Sequence, residues 1–278
     1  MDRREQVERA RRFRALHDRR HVLLLPNAWD AASARAFADL GFEAIATTSG
    51  GMAWSLGYAD GERAPLDEVL DAVRRIVRVT PLPVSVDFEA GYGASPEAVA
   101  ASVRAMIDAG AVGINLEDGI RHEVLRDIDD AARRIAAARE AAREAAVPIV
   151  INARVDTWIV GGDAADAERI DETLRRARAY LAAGADCIYP IALARPDVIA
   201  RLCADIDAPV NIGARADLPD LAELGRLGVA RVSTATRLAT LALSAARDAA
   251  QRLRQSGRFD SLDAAFGYAD AQRLFPHF

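Results

Sequence analysis

Lysine is missing from this sequence, since all 36 residues counted as lysine or arginine are arginine. Schiff-base catalysis, the covalent anchoring of pyridoxal phosphate and the Walker-type phosphate loop each require a lysine amine. The chain therefore has none of these chemistries available. Any carbanion or enolate that it forms must be stabilised by a metal ion or by fixed dipoles. The absence itself is typical of a GC-rich coding sequence.

Cysteine is also scarce, and Cys187 and Cys203 provide no disulfide framework. The chain has no apolar run of about 18 residues, the length that a transmembrane helix needs. Its N-terminal segment, MDRREQVERARRFRALHDRRH, is charged and lacks the apolar core of a secretory signal. The formal net charge of −5 argues against nucleic acid or an anionic membrane as a partner. We therefore expect a cytoplasmic protein that binds neither.

A glycine-rich G-x-G-x-x-G turn, which open doubly wound sheets carry after their first strand, is missing as well. Instead, eight short β-branched segments alternate with longer amphipathic segments rich in Ala, Arg and Glu. The predicted strands are residues 22–25, 44–47, 84–88, 113–116, 149–153, 187–190, 210–212 and 232–234. The predicted helices include residues 30–40, 66–78, 96–109, 129–146, 170–183, 196–205 and 218–227. Such alternation predicts parallel strands joined by right-handed crossovers, and eight units of this α/β kind close into a (β/α)8 TIM barrel.

The boundaries of these helices carry the residues that helix ends favour. Asp30, Ser95 and Asp217 occupy N-cap positions, and Pro96 fits a first helical turn. Glycines stand where helices should end before the next strand: Gly41, Gly110, Gly184 and Gly228. The boundary residues therefore support the alternating pattern.

Both ends of the chain extend beyond the predicted barrel. Residues 3–20 are predicted to form an extra N-terminal helix, and the segment after Arg254 a C-terminal helical tail. That tail carries apolar residues that we expect to pack against something, such as a neighbouring subunit: Phe266, Tyr268, Leu274, Phe275 and Phe278. Since no linker, repeat or low-complexity segment divides the sequence, residues 1–278 are predicted to form a single domain.

Charged side chains recur where the predicted strands end, the edge at which barrel enzymes build their active sites. They are Asp60 after strand two, Asp87 and Glu89 after strand three, Glu117 and Asp118 after strand four, and Arg154 and Asp156 after strand five. Carboxylates packed together repel and would be forced to protonate, so we expect a hard divalent cation, Mg²⁺ or alternatively Mn²⁺, among them. A single acid at a strand end is more often a helix cap, and Arg154 could belong to a structural ion pair.

The string PLPVSVDFEAGYG, followed by AGAVGINLEDG and then PIVINARVDTW, resembles the isocitrate lyase and phosphoenolpyruvate mutase superfamily. The earlier segments LLLPNAWDAASARAFADLGFEAIATTSGG and LGYADGE fit in the same order, so the resemblance covers at least residues 22–214. It implies a Mg²⁺-dependent barrel that acts on a short α-keto or hydroxy acid. It also implies a homo-oligomer, a dimer or a tetramer built as a dimer of dimers. Many members exchange a C-terminal helix between subunits.

The resemblance further implies roles for individual residues. Asp87 is the implied direct metal ligand, and further carboxylates hold the metal largely through water: Asp60, Glu89 and Glu117. The backbone and hydroxyl of one turn are implied to grip the substrate carboxylate: Ser49, Gly50 and Gly51. Arg154 is implied to neutralise the substrate or its developing enolate. Tyr189 and Asn211, in strands six and seven, are either substrate contacts or packing residues.

One departure from the superfamily pattern concerns the loop after strand four. Lyases of the superfamily carry there a Lys-Lys/Arg-Cys-Gly-His type segment whose cysteine acts as acid or base, and the mutase branch carries an asparagine. Here the segment reads GIRHEVLRDIDD and contains neither. His122 has the pKa range of a proton donor, although a solvated surface histidine fits equally well. Cys187 and Cys203, in a predicted strand and helix, are expected to be core thiols.

Together these observations predict a Mg²⁺-dependent lyase that cleaves a carbon–carbon bond in a small α-keto or α-hydroxy (di)carboxylate through a metal-stabilised enolate. The predicted catalytic residues are Arg154, Glu117 and His122. Oxaloacetate-type decarboxylation or hydrolysis and methylisocitrate-like retro-aldol cleavage both fit. The first alternative is a carbon–phosphorus enzyme, a phosphonopyruvate hydrolase or phosphomutase. The second is a non-catalytic metal-binding barrel, which has little need for four acids around one site.

Overall fold

Parallel strands form a closed ring in the computed structural model, which describes residues 1–162 and 164–275. The strands are β1 (Leu23–Leu25), β2 (Asn27–Ala28), β3 (Ile45–Thr47), β4 (Val84–Asp87), β5 (Gly113–Glu117), β6 (Gly119–Ile120), β7 (Val124–Leu125), β8 (Val150–Val155), β9 (Cys187–Pro190), β10 (Asn211–Gly213) and β11 (Arg231–Ser233). The helices are α1 (Arg3–Ala15), α2 (Ala31–Asp39), α3 (Ser49–Leu56), α4 (Leu66–Arg78), α5 (Pro96–Asp108), α6 (Ile128–Glu144), α7 (Thr157–Val160), α8 (Asp166–Ala182), α9 (Pro196–Asp205), α10 (Leu221–Arg226), α11 (Arg237–Ser256) and α12 (Tyr268–Leu274), with a short 3-10 helix at Asp260–Leu262.

Two sheets share the ring. One has the strand order β1-β11-β10 and the other the order β2-β3-β4-β5-β8-β9. β1 and β2 are two parts of one barrel strand, separated by Pro26, which has no N–H to donate to a ladder. A bridge between Ile188 and Val210 joins β9 to β10 and closes the ring. The predicted (β/α)8 barrel, with its N-terminal helix and C-terminal helical tail, is therefore confirmed.

The predicted strands match the observed ones to within two residues at either end, except that the first barrel strand continues through β2 to Ala28, and α4 and α9 have the predicted bounds. Three helix boundaries were wrong. The N-terminal helix ends at Ala15, and α8 begins at Asp166, where acidic residues favour the positive end of the helix. α10 begins later than predicted, because its cap is Asp220, whose Oδ1 accepts from Glu223 N at 2.9 Å. Asp217 instead accepts a hydrogen bond from Arg215.

The remaining boundary predictions are confirmed. Asp30 caps α2 through a hydrogen bond from Ser33 N, and Ser33 Oγ accepts in return from the Asp30 backbone. Ser95 caps α5, with Pro96 in its first turn. The four predicted terminal glycines all have φ values in the left-handed region: Gly41 at 84°, Gly110 at 103°, Gly184 at 104° and Gly228 at 92°.

Helix α1 lies across the end of the barrel where the strands begin. The Nε2 of Gln6 donates to the carbonyl oxygens of Ile107 and Ala111, and Phe13 is fully buried. A Cβ on Gly113 would lie 2.7 Å from the Phe13 ring, so β5 begins with glycine because α1 packs directly against it. The extra N-terminal helix is therefore part of the core.

The middle of the barrel interior is polar, whereas TIM barrels usually fill it with branched apolar side chains. Its buried polar residues come from five different strands: Ser85, Asn115, Asn152, Asn211 and Arg231. Arg231 on β11 donates to Asn115 on β5, which is not a neighbouring strand, so both side chains point inward. Asn152 on β8 donates to the same Asn115 oxygen.

Of the two C-terminal helices, α11 is largely exposed, whereas α12 packs against another helix. Ala239 is the buried residue of α11, while Leu241 and Leu243 are 65% and 57% exposed. The chain then returns, and α12 packs against α2, where Arg35 Nε donates to the Leu274 carbonyl at 2.7 Å. In the predicted apolar tail, Leu274 is buried and Phe275 is partly buried against the core, Phe266 and Tyr268 are exposed, and Phe278 lies outside the described residues. No helix in residues 1–162 and 164–275 combines the length and apolar character needed to cross a membrane.

Candidate active site

Two adjoining cavities open at the ends of the barrel strands. The inner cavity has a volume of about 180 Å³ and is lined by residues that include Thr48, Ser49, Asp60, Asp87, Asn115, His122, Arg154, Tyr189 and Ser233. The outer cavity has a volume of about 250 Å³ and is lined by residues that include Glu62, Arg63, Glu89, Glu117, Arg121, His122 and Arg126. His122 lines both, so it marks the boundary between them.

Asp87, the last residue of β4, is held by donors on both sides of its carboxylate. Ser49 N donates to Oδ2 at 3.2 Å, and Asn115 Nδ2 approaches Oδ1 at 3.4 Å. The backbone N–H of Asp87 donates to Thr47 Oγ1 at 3.0 Å. These contacts come from β3, α3 and β5, so the carboxylate has a defined orientation at the cavity wall.

The Ser49-Gly50-Gly51 segment, identified from the sequence only as a turn, is the first turn of a helix, α3, with Thr48 as its N-cap. A Cβ on Gly51 would lie 2.7 Å from the Thr48 side chain and 2.8 Å from that of Trp29. A Cβ on Gly50 would lie 3.1 Å from Asp60 Oδ2. Glycine therefore allows α3 to approach its neighbours closely, and the positive end of the helix faces Asp87 and the inner cavity.

Glu89 lies just beyond β4 with a left-handed backbone, φ 48°. Tyr92 Oη donates to its Oε1 at 2.7 Å, and Glu62 N donates to its Oε2 at 2.6 Å. Burial raises the pKa of Glu89 to about 7, and the charges of Asp60 and Asp87 add to the shift, against the hydrogen bond from Tyr92. Tyr92 and Glu62 were not predicted. The run Glu-Ala-Gly-Tyr after a strand was the available signal for Tyr92.

Arg154 is the centre of a buried cluster at the ends of β5 and β8. Its Nη1 lies 2.6 Å from Glu117 Oε2, and its Nε and Nη2 donate to the two oxygens of Asp156 at 2.7 and 2.8 Å. His122 Nδ1 lies 3.1 Å from Arg154 Nη2 and 3.3 Å from Asp156 Oδ2. Asp156 was recognised as a strand-end acid but given no role, although its i, i+2 spacing from Arg154 places both on one side of the strand.

The charges of this cluster shift one another's pKa values. Burial raises the pKa of Glu117 to about 8, while Arg154 opposes the shift. Burial alone would lower the pKa of Arg154, but the charges of Glu117 and Asp156 raise it. A hydrogen bond that His122 donates to the Asp156 carboxylate is the main cause that raises the pKa of His122. The guanidinium is therefore charged and bound on both sides.

The acids at the strand ends are oxygen donors of the kind that hold a divalent cation. Within the part of the chain that the structure describes, one group has all its ligand atoms within 4.8 Å of one another: Glu117, His122 and Asp156. Arg154 already binds this group, so a second cation there would meet a guanidinium. The predicted ligands line the two cavities, and of these only Glu117 belongs to that group: Asp60, Asp87, Glu89 and Glu117. Burial is the main cause that raises the pKa values of Glu89 and Glu117, and neighbouring carboxylates add to both shifts, so a cation bound among them would favour their charged forms.

The structure brings most of the predicted site residues to the two cavities, but Gly50, Gly51 and Asn211 are not among the residues that line them. Asn211 is fully buried on β10, and its Nδ2 donates to Ser233 Oγ at 3.2 Å. Tyr189 and Ser233 are among the described residues that line the inner cavity, whereas Asn211 is not. Its register opposite Arg231 places it one layer deeper in the barrel. Contact between Asn211 and a substrate stays a prediction.

The two cysteines are core thiols, as predicted. Cys187 is fully buried in β9 and Cys203 is buried in α9. Burial raises the pKa of the Cys187 thiol to about 12 and that of Cys203 to about 11. Neither lines either of the cavities described above, so neither is placed to transfer a proton there.

Comparison with known proteins identifies the family of the chain. The family model described as Phosphoenolpyruvate phosphomutase matches residues 13–254. The chain is 31% identical over 207 residues to 2-methylisocitrate lyase of Escherichia coli (strain K12), which covers 71% of this chain and 67% of that protein. A solved Burkholderia cenocepacia J2315 protein, described only provisionally as a lyase/mutase, is 39% identical with a TM-score of 0.90 and 98% coverage of both chains. Oxaloacetate acetylhydrolase, solved with its product oxalate, is 26% identical with a TM-score of 0.84, covering 96% of this chain and 93% of that one.

The family match extends over most of the barrel and includes every residue of the two cavities described above. Similarity to the lyase covers the greater part of both proteins, and similarity to the solved structures covers almost the whole fold. The chain therefore belongs to the phosphoenolpyruvate phosphomutase family, within the isocitrate lyase and phosphoenolpyruvate mutase superfamily.

Proposed function

We propose that this protein is a Mg²⁺-dependent lyase that cleaves a carbon–carbon bond in a small α-keto or α-hydroxy (di)carboxylate. The observation that carries the proposal is the placement of Asp87, Arg154 and the first turn of α3 around one cavity of about 180 Å³. That volume suits a small acid. Among the relatives, 2-methylisocitrate lyase and oxaloacetate acetylhydrolase are named for reactions on such acids.

Asp87 is the proposed direct ligand of the metal, and further carboxylates are proposed to hold it through water: Asp60, Glu89 and Glu117. The donor set contains oxygen atoms alone, which favours Mg²⁺, with Mn²⁺ as the alternative, over zinc. A bound Mg²⁺ supplies Lewis acidity, which polarises a substrate carbonyl and stabilises an enolate. The absence of lysine from the sequence excludes the Schiff-base route to the same stabilisation.

The remaining roles follow from the contacts of each side chain. The N-terminal turn of α3, with Ser49 and the N–H groups of Gly50 and Gly51, binds the substrate carboxylate at the positive end of the helix. Arg154 places positive charge beside the enolate oxygen, and Glu117 and Asp156 hold its guanidinium in one orientation. His122 Nδ1 faces Asp156, which leaves Nε2 as the atom that carries a proton to or from the substrate.

A substrate screen tests the proposal. The purified protein is incubated with oxaloacetate, methylisocitrate, dimethylmalate or phosphonopyruvate, with Mg²⁺ or with EDTA. Pyruvate release is followed, and with oxaloacetate the release of oxalate as well, because hydrolysis of oxaloacetate yields oxalate and acetate. We expect the protein to turn over one of the three acids that contain no phosphorus. This turnover should require Mg²⁺ and stop when EDTA is added. Turnover that EDTA leaves unchanged would contradict the metal-dependent mechanism, and metal binding without turnover of any such acid would favour the non-catalytic barrel.

The second candidate function is cleavage or rearrangement of a carbon–phosphorus bond. It is favoured by the matching family model, which is described as a phosphoenolpyruvate phosphomutase. In the same screen it predicts that phosphonopyruvate alone is consumed. Release of inorganic phosphate would identify a hydrolase, and formation of phosphoenolpyruvate a mutase.

We expect the His122→Ala variant to lose at least tenfold in kcat, because general acid–base catalysis typically contributes roughly 100-fold or more. The Cys187→Ser/Cys203→Ser double variant should keep most of its activity, since both thiols are buried away from the cavities. Steady-state kinetics of both variants with the substrate identified by the screen measures this. A thiol-free protein that is folded, metal-loaded and inactive would contradict the proposed proton transfer.

We also propose that the protein is a homo-oligomer, a dimer or tetramer, in which α11 is covered by a second copy. The helix exposes two large apolar side chains, Leu241 and Leu243, at 65% and 57%, and large apolar side chains left exposed on one helix are typical of interfaces. The Leu241→Arg/Leu243→Arg variant should sediment as a monomer, while Leu40→Arg, an equally exposed leucine on another face, should leave the assembly intact. A monomeric wild-type protein in sedimentation equilibrium would contradict this.

Two broader proposals accompany these. The chain is proposed to act as one barrel domain, because the ring uses residues from Leu23 to Ser233 and both terminal helices pack on it. Its proposed location is the cytoplasm, where the two unpaired cysteines suit a reducing environment.

A further inference from the structure

The guanidinium of Arg231 is buried at the centre of the barrel with most of its hydrogen-bonding capacity unused. The residue is 0% exposed, and its Nε and Nη1 have no hydrogen-bond partner among the described residues. Its Nη2 donates to Asn115 Oδ1 at 3.3 Å, and its guanidinium carbon lies 5.8 Å from the centre of the Phe13 ring. Because arginine keeps its charge in proteins, burying it with so few partners is costly. A residue that lowers stability in this way is expected to have a role other than stabilising the fold.

Asn115 connects this charge to the candidate active site. Its Oδ1 accepts from Arg231 Nη2 and, at 2.8 Å, from Asn152 Nδ2. Its Nδ2 points at Asp87 Oδ1, 3.4 Å away. An amide whose oxygen accepts from two donors has one favourable orientation, since turning it over would place its NH₂ group against both donors. The N–H is thereby fixed toward Asp87.

We propose that Arg231 is a positioning residue for the metal site, which acts through Asn115 to hold the Asp87 carboxylate in its orientation toward the inner cavity. This inference rests on the proposed function, in which Asp87 binds the metal. Arginine suits the task because a guanidinium has donors alone and cannot present an acceptor to Asn115. A neutral amide or hydroxyl in its place could turn and release the amide of Asn115.

An alternative role, in which Arg231 merely stabilises the barrel, makes different predictions. Replacing a buried and poorly paired charge with an apolar side chain of similar length is often neutral or stabilising. Arg231→Met should therefore keep or raise the Tm while it weakens metal binding. If Arg231 is a positioning residue, the weaker metal binding of Arg231→Met depends on Asn115. If Arg231 only packs in the barrel, it does not.

Mn²⁺ titration followed by electron paramagnetic resonance tests the proposal on the full-length protein. We expect Arg231→Met to weaken the Kd for Mn²⁺ about tenfold or more, as removal of residues behind metal ligands commonly does. Arg231→Lys, which keeps a charged donor, should recover part of the loss. Ser85→Ala is the matched control, because Ser85 is buried in the same polar layer and its Oγ has no hydrogen-bond partner among the described residues.

The Arg231→Met/Asn115→Leu double variant distinguishes a positioning role of Arg231 through Asn115 from a role in barrel stability alone. If Arg231 acts through Asn115, the double variant should bind Mn²⁺ no more weakly than Asn115→Leu alone. Additive losses, an unchanged Kd in Arg231→Met, or an equal loss in Ser85→Ala would each overturn the proposal.

A readout that needs no metal distinguishes failure of this inference from failure of the proposed metal site. The side-chain amide resonances of Asn115, identified by their loss in Asn115→Leu, should shift in Arg231→Met and stay in place in Ser85→Ala. If wild-type protein shows no Asp87-dependent Mn²⁺ binding, the proposed metal site is wrong, and unshifted Asn115 resonances would overturn the link from Arg231 as well.

Discussion

The Asp87→Ala variant should lose Mg²⁺ binding and keep its fold. The Asp87 carboxylate is held at the cavity wall by Ser49 and Asn115, the Asp87 backbone N–H donates to Thr47, and the side chain is the proposed direct ligand. Loss of a direct ligand should weaken the Kd by more than the roughly 10–100-fold that follows loss of a residue behind a ligand. The fold should persist, because removing one carboxylate also removes repulsion with Glu89.

Isothermal titration calorimetry with Mg²⁺ measures the affinity, and thermal melting followed by circular dichroism checks the fold. The Asp108→Ala variant is a suitable control, because Asp108 is an exposed acid at the end of α5 that pairs with Arg3. It should bind Mg²⁺ as the wild type does. An Asp87→Ala variant with wild-type Mg²⁺ affinity would show that the metal is held elsewhere, with Glu117, His122 and Asp156 as the next set to test.

The Arg154→Lys variant should lose about 100-fold in kcat/KM, or about 2.7 kcal/mol of transition-state stabilisation. The guanidinium reaches Glu117 with Nη1 while Nε and Nη2 bind both oxygens of Asp156. A lysine ammonium is a single point of charge and cannot make this two-sided contact. Asp156 would lose its paired donors in a buried position, so the Tm should also fall.

Steady-state kinetics with the identified substrate measures the loss, and Mg²⁺ calorimetry of the same variant shows whether the metal site is retained. We expect the variant still to bind Mg²⁺, because Asp87, the proposed direct ligand, is unchanged. Arg175→Lys, on the exposed face of α8, controls for introducing lysine into a chain that has none. Near-normal turnover of Arg154→Lys would place Arg154 in a structural ion pair.

The barrel could be predicted from the sequence because its strands and outer helices each repeat a pattern over many residues. The β6–β7 hairpin and helix α3 are too short to show a repeating pattern in the sequence. The β6–β7 hairpin turns at Arg121 and His122, which have φ values of 53° and 58° although neither is a glycine or asparagine. Helix α3 was missed because two glycines in its first turn are typical of a loop. Only the close approach of Trp29 and Thr48 explains why glycine is required at Gly51.

The candidate site was predictable as a set of strand-end residues but not as a set of contacts. Barrel topology places Asp87, Glu117 and Arg154 at one end whatever their partners are. The pairing of Arg154 with His122 depends on the turn of the hairpin, and Asn211 lies a layer deeper because of its register with Arg231. Such details depend on backbone geometry that a one-dimensional pattern does not contain.

The ring of strands closes between β9 and β10 through a single bridge within the described residues, whereas other neighbouring strands share two or more paired positions. This seam is where thermal breathing of the sheet should begin, since fewer backbone hydrogen bonds must break there. Cys187 lies beside the bridge and is 0% exposed. A thiol reagent can reach it when the seam opens, so its labelling rate measures how often the native barrel opens.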